Sequence, residues 1–110
     1  MGADIVFHNL DKIKFLISDA TGLDVAYAYE DLVFAEHGLF IVQFDMTNTD
    51  KVGIWFQQDI EDGSRKEFLK SLRTTADLNS MQITFKGFFE MNQKPGTEVI
   101  DLKFSPAFSI

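Results

Sequence analysis

The chain has 110 residues, of which 45% are hydrophobic and 25% are charged, and its formal net charge at pH 7 is −7. This length and composition predict one globular domain over residues 1–110 and exclude a disordered chain. The acidic balance disfavours nucleic acid as a partner, and the lack of Cys excludes disulfides and Cys-based metal sites.

The sequence also bears on location. No apolar run approaches the length of a membrane span, and residues 1–14 lack the basic flank and apolar core of a signal peptide. We therefore expect a cytoplasmic protein that has no membrane as a partner.

The first predicted element is a helix from about Asn9 to Ala20, and Asn9 can cap its first turn. Its apolar side chains recur at helical spacing and form one stripe, which consists of Leu10, Ile13, Leu16, Ile17 and Ala20. Phe15 lies nearly opposite this stripe, so it is a candidate for an outward-facing contact.

Three strands are predicted to follow, over residues 25–36, 39–46 and 52–58. We expect Glu30 and Asp31 to bend or break the first of these strands. The segment 36–38 predicts a tight hairpin turn, because Gly38 adopts a positive φ readily.

The second half begins with a predicted helix. Ser64 and Glu67 have the spacing of a capping box, so the helix is predicted to begin at Ser64 and to end near Asn79. A final hairpin follows, with its turn at residues 94–97. Gly87 is predicted to mark a bulge, because two adjacent Phe residues interrupt the alternation there.

These elements predict an α+β fold with an antiparallel five-stranded sheet and two helices packed on one face, in the order α-β-β-β-α-β-β. The face beneath the helices is predicted to collect the most regular apolar set, namely Phe40, Val42, Phe44, Val52, Ile54, Phe56, Met81, Ile83, Phe85, Ile100, Leu102 and Phe104.

The second face of the predicted sheet is mixed in character. It carries Tyr27, Leu39, Ile41, Gln43, Trp55, Gln57, Thr84 and Val99. It could be a solvent face, the interface of a homodimer or of a complex with a protein partner, or one wall of a ligand pocket. We favour the interface, because aromatic residues with few charges are typical of interface cores. The predicted interface residues are Trp55, Ile41, Tyr27, Gln43 and Gln57, with Phe15 on the first helix.

Residues that could catalyse a reaction or bind a metal form no recognisable pattern. We expect His37 to be a solvated turn residue and His8 to pack at the entry of the first helix. Asp59, Glu61 and Asp62 fail the spacing of a calcium loop, and their proximity to a helix N-terminus explains them. Because no nucleophile or phosphate-binding motif is present, we expect no enzyme activity, metal or cofactor.

In the order of its elements, its acidity and its small size, the chain resembles the type III secretion chaperone-like fold, a class that also includes stand-alone small bacterial domains. The resemblance covers most of the chain at the level of topology. It implies a dimer that binds an extended segment of another protein.

The sequence therefore predicts a non-enzymatic module that associates with itself or binds a protein partner. The alternative is a small-molecule-binding domain with an apolar pocket between the sheet and the C-terminal tail. The walls of that pocket would be Phe88, Phe89, Phe104 and Phe108.

Overall fold

The computed structural model of the chain describes residues 10–45, 47–48, 50–93, 95–96 and 100–106. Within these residues the chain forms two helices and six strands, with a short 3₁₀ turn at Glu36–Gly38. In chain order they are α1 (Leu10–Thr21), β1 (Val25–Tyr29), β2 (Leu32–Ala35), β3 (Phe40–Phe44), β4 (Lys51–Gln57), α2 (Asp62–Leu78), β5 (Gln82–Gln93) and β6 (Ile100–Pro106). Neither helix in the described part of the chain is long and apolar enough to span a membrane.

The strands form one mixed sheet in the order β1-β2-β3-β4-β5-β6. Neighbouring strands are antiparallel except β4 and β5, which pair in parallel. The α+β class is therefore confirmed. The prediction of five antiparallel strands was wrong in both the number of strands and the direction of one pair.

The connections between strands explain both differences. Residues 30–31 break the predicted first strand, which is one of the two expected outcomes, and they form a two-residue turn in which Glu30 takes a positive φ of 54°. The predicted first strand is consequently a hairpin, β1–β2. Between β4 and β5 the chain passes through α2, and strands joined by a helical crossover of this kind run parallel.

Both helices cover the same face of the sheet, which we call the helix face. α1 buries Ile13, Leu16 and Ile17, and α2 buries Leu72 and Ala76. They pack on a continuous set of buried residues, namely Val33, Ala35, Phe40, Val42, Phe44, Val52, Ile54, Phe56, Met81 and Ile83. Burying one such large apolar side chain stabilises a protein by about 1.5–3 kcal/mol, so this layer is the main source of stability.

The start of α2 differs from the prediction. Asp62 is the first helical residue, and Glu61, the preceding N-cap residue, makes no side-chain hydrogen bond to the helix. Ser64 lies inside the first turn, so the predicted capping box was wrong. The acid at Asp62 favours the earlier start, because it interacts well with the positive end of the helix dipole. The predicted cap of α1, Asn9, lies outside the described residues.

Gly87 forms a bulge in β5, as predicted. Ile54 of β4 lies opposite Phe85, but the next residue, Trp55, lies opposite Gly87. Gly87 has a φ of 146°, a conformation that residues with a β-carbon rarely adopt. The extra residue reverses the alternation of side chains over the rest of β5.

The reversed alternation also changes the faces of the last hairpin. Phe88 packs against the core of the helix face, whereas Phe89 and Leu102 join the second face. The ring of Phe104 lies 4.6 Å from that of Trp55, also on the second face. The prediction that Leu102 and Phe104 lie beneath the helices was wrong, because the bulge shifts the register of β6 as well.

Candidate functional site

A row of apolar and aromatic side chains crosses the second face of the sheet. The backbone register places Tyr27 opposite Phe34. It continues from Phe34 to Ile41 in β3 and to Trp55 in β4. Because residues in register lie on one face with β-carbons about 4.5–5.5 Å apart, the row is continuous from the β1 edge to the centre of the sheet.

The centre of this row is buried although both helices lie on the other face. Ile41 is 0% exposed and Trp55 is 9% exposed, and they form a second core with Phe89. Leu102 packs against this core, and Phe104 contacts the indole ring. Side chains of the β5–β6 hairpin therefore bury Ile41 and Trp55 on the second face, just as the helices bury the apolar residues of the helix face.

A chain of polar contacts fixes the indole ring within the second core. The Trp55 indole N–H donates to Gln43 Oε1 at 3.0 Å, and Gln43 Nε2 donates to Asp31 Oδ2 at 2.9 Å. Lys86 Nζ also donates to Gln43 Oε1, at the longer distance of 3.4 Å. The amide of Gln43 thus satisfies a largely buried donor and links the β1–β2 turn to β4.

Gly53 leaves room for the side chain of Lys86 on the second face. A β-carbon at Gly53 would lie 2.5 Å from Lys86 Cδ and 2.9 Å from Lys86 Cγ. The aliphatic part of the lysine therefore lies directly on the glycine backbone and covers it. This arrangement explains how a charged side chain buries the backbone of Gly53.

An apolar cleft of about 630 Å³ lies next to the second core. Its walls come from both edges of the sheet and consist of Ala26, Tyr27, Tyr29, Phe34, Ala35, His37, Gly38, Met91 and Leu102. Because residues of β1–β2 and of β5–β6 line one cleft, the sheet curves until its edge hairpins face each other. The volume is within the range of about 300–1,000 Å³ that is typical of ligand sites.

The two tyrosines of β1 are the most accessible large hydrophobic side chains of the cleft. Tyr27 and Tyr29 are each 56% exposed, and Met91 on the opposite wall is 39% exposed. The ring of Tyr27 packs on that of Phe34 with centroids 5.4 Å apart, and this contact restricts the position of the Tyr27 ring. Supported tyrosines offer a large contact area at a small cost in side-chain entropy.

The structure places the predicted interface residues in different environments. Tyr27 lines the cleft. Ile41 and Trp55 are buried behind the cleft residues Phe34 and Leu102 and are not available for direct contact. Gln57 binds the loop after β4, because its side-chain oxygen accepts from the backbone N–H of Asp59 at 2.7 Å. Phe15 is 57% exposed, but it belongs to α1 in the helix layer.

Several cleft residues escaped the sequence analysis. The sequence predicts Tyr29 and Phe34 within one interrupted strand, and such a strand does not indicate that Phe34 lies opposite Tyr27 across a hairpin. Met91 and Leu102 reach the second face only because of the bulge. Of the other residues predicted on this face, Leu39 packs against the helix-face core, and Val99 lies outside the described residues.

His37 lies at the cleft as an exposed turn residue with a positive φ of 64°. Asp59, Glu61 and Asp62 are all exposed. Among the residues that the structure describes, no group of three or more His, Cys, Asp or Glu could hold a metal ion. His8 lies outside these residues, so the prediction made for it stays a prediction.

Comparisons with protein-family models, with characterised proteins and with solved structures find no match to this chain. The resemblance to the type III secretion chaperone-like fold therefore stays a prediction from topology. The functional proposal rests on the geometry of the cleft.

Proposed function

We propose that this domain is a non-catalytic module that binds a protein partner through the cleft on its second face. The observation that supports this proposal is the pair of half-exposed tyrosines, Tyr27 and Tyr29, beside a supported apolar cleft. Tyrosine and methionine are enriched in interface cores, and tyrosines are frequent hot spots of binding energy. The second core beneath them keeps the site rigid, which lowers the entropy cost of association.

Protein binding remains the proposed class of function, but the contact surface differs from the one predicted from the sequence. Trp55 stabilises the site from within the second core, while Tyr27, Tyr29 and Met91 contact the partner. Truncation of Trp55 would consequently lower stability as well as binding, because the residue is 9% exposed and its indole N–H is hydrogen-bonded. Truncation of Tyr29 would lower binding alone, because most of its side chain is already accessible.

The test is a selection of peptide fragments displayed from the genome of the source organism, on the wild-type domain and on the Tyr29→Ser variant. We expect fragments that bind the wild-type domain and lose binding to the variant. Phe15→Ser is the matched control, because it removes an aromatic ring of similar exposure from the helix layer. Fragments that depend on Phe15 and not on Tyr29 would overturn the proposal, as would a selection that yields no fragment.

The second candidate function is the binding of a small apolar molecule. The volume of the cleft, about 630 Å³, and its apolar walls favour such binding. The predicted walls Phe88, Phe89 and Phe104 do not line this cleft, and Phe108 lies outside the described residues. Saturable one-to-one binding of a neutral apolar dye, with energy transfer from Trp55 and no fragment selected, would favour it over a protein partner.

A further inference from the structure

We propose that the partner contributes an extended segment that adds to the sheet as a strand beside β1, and that this segment is apolar in its centre and basic at both ends. This inference rests on the proposed function, since the alternate side chains of the added strand would occupy the cleft. Three features of this binding follow: the edge of the sheet that is used, the backbone groups that are available on it, and the charge of the partner segment.

The two edges of the sheet differ in their protection against strand addition. β6 carries Asp101, Lys103 and Pro106, which are residue types that block pairing at sheet edges. β1 has the sequence VAYAY, without a charge or a proline, and four of its five residues are exposed. Within the described sheet, β1 is therefore the edge that can accept another strand.

The turn between β1 and β2 determines which backbone groups of β1 are available. Tyr29 and Leu32 flank the two-residue turn, so they form the hydrogen-bonded pair that closes it. The next pair, Ala28 and Val33, is then a pair without mutual hydrogen bonds. The N–H and C=O groups of Ala28 consequently point away from β2 and towards the position of an added strand.

An added strand would place its side chains at the cleft. Neighbouring strands lie about 4.8 Å apart, and every second side chain of the added strand would lie on the same face as Tyr27 and Tyr29. These two side chains are the accessible rim of the cleft on the β1 side. Backbone hydrogen bonds would hold the segment, and the cleft would select its apolar side chains.

The charge around β1 indicates the ends of the segment. Residues 21–50 contain six acids and no Lys or Arg. Asp24 immediately precedes β1, while Glu30 and Asp31 immediately follow it, so both ends of the edge are acidic. Asp24 and Glu30 are exposed, whereas Asp31 is partly buried and accepts from Gln43. Exposed charges contribute modestly to affinity, but they steer association and reject partners of like charge. Basic residues at both ends of the segment match this arrangement.

The same charges disfavour a second copy of this chain as the occupant. Antiparallel pairing of two β1 strands would bring Glu30 of each copy close to Asp24 of the other. Like charges facing each other across neighbouring strands are destabilising. A partner with basic ends avoids this repulsion, so the homodimer becomes an alternative outcome of the test.

The test uses two fluorescently labelled nine-residue peptides and the full domain. Both have the centre Val-Thr-Val-Thr-Val, which places three apolar side chains on one face of the strand. One peptide has two Lys at each end and the other has two Glu. Ala28→Pro removes the outward N–H, and proline is tolerated at such positions of edge strands. Ala28→Thr keeps the N–H and is the matched control. Circular dichroism and the thermal midpoint show whether each variant folds.

We expect the basic peptide to bind the wild-type domain and the Ala28→Thr variant at least tenfold more tightly than the Ala28→Pro variant. We also expect it to bind at least tenfold more tightly than the acidic peptide at low salt, with a smaller difference at 0.5 M NaCl. Binding should protect the Ala28 amide from hydrogen exchange, which a contact through side chains alone would not do.

Three results would overturn the inference. Equal binding to the Ala28→Pro and Ala28→Thr variants refutes strand addition, and the proposed function survives it if Tyr29→Ser still abolishes binding. Equal binding of the two peptides refutes the basic chemistry of the segment. If neither peptide binds, the segment is refuted, and a dimer that Ala28→Pro dissociates in light scattering would identify a second copy as the occupant.

Discussion

Replacing Gly87 by Ala is the most informative test of the fold, because the bulge directs the last hairpin to the second face. At the φ of 146° observed for Gly87, a β-carbon creates backbone strain of about 1–3 kcal/mol. For a domain of this size, roughly 4 °C of thermal midpoint corresponds to 1 kcal/mol, so Gly87→Ala should lower the midpoint by about 4–12 °C.

The matched control is Gly63→Ala, because Gly63 lies in the first turn of α2 and a β-carbon there would meet no atom within 4 Å apart from its chain neighbours and the backbone of its own helix. This control should be neutral or raise stability by about 0.5–1 kcal/mol, since alanine favours helix more than glycine does. Thermal unfolding followed by far-ultraviolet circular dichroism measures both variants. If Gly87→Ala were as stable as Gly63→Ala, the bulge and the register of β6 would have to be wrong.

Three other substitutions test separate parts of the structure. Gln43→Leu removes the acceptor of the Trp55 indole N–H and should cost about 1–3 kcal/mol in urea unfolding, with a shift in indole emission. Glu30→Gly relieves the positive φ of 54° and should be neutral or stabilising by up to about 1 kcal/mol. The hydrogen bond from the Thr47 backbone N–H lowers the pKa of Asp45. The stability that this carboxylate contributes is therefore present above its unfolded pKa and is lost as the pH falls through the lower folded pKa. Asp45→Asn should flatten that part of the pH profile.

Each of these expectations has a contrary result. An unchanged unfolding free energy for Gln43→Leu would show that the indole N–H is satisfied by another group. A large loss of stability for Glu30→Gly would contradict the turn geometry of β1–β2. If the stability of the wild-type domain and of Asp45→Asn depended on pH in the same way, Asp45 would not contribute to the loss of stability in acid.

The elements with regular apolar spacing could be predicted from the sequence. The stripe of α1 predicted Ile13, Leu16 and Ile17 as buried residues, and they are buried. The alternation of side chains along β3 and β4 also predicted that Trp55 and Phe56 lie on opposite faces. Trp55 belongs to the second core and Phe56 to the helix-face core. The bulge at Gly87 was predicted from the two adjacent phenylalanines, and the register confirms it.

The cleft could not be predicted, because it depends on relations between distant strands. Alternation alone assigns Leu102 and Phe104 to the helix face, whereas pairing with the bulged β5 carries them to the other one. The sequence also contains no signal for the curvature that brings β1–β2 and β5–β6 to one cleft. The positive φ of Glu30 could not be predicted either, because glutamate rarely occupies that position of a hairpin turn.

The central claim is that the partner binds at the cleft and not at the helix layer. The most direct measurement is photo-crosslinking in cells of the source organism, with p-benzoylphenylalanine placed at Tyr27 in one variant and at Phe15 in another. Both side chains are more than half exposed, at 56% and 57%, so accessibility to the reagent is matched. We predict one discrete adduct from position 27 and none from position 15. An adduct from position 15 alone would contradict the account.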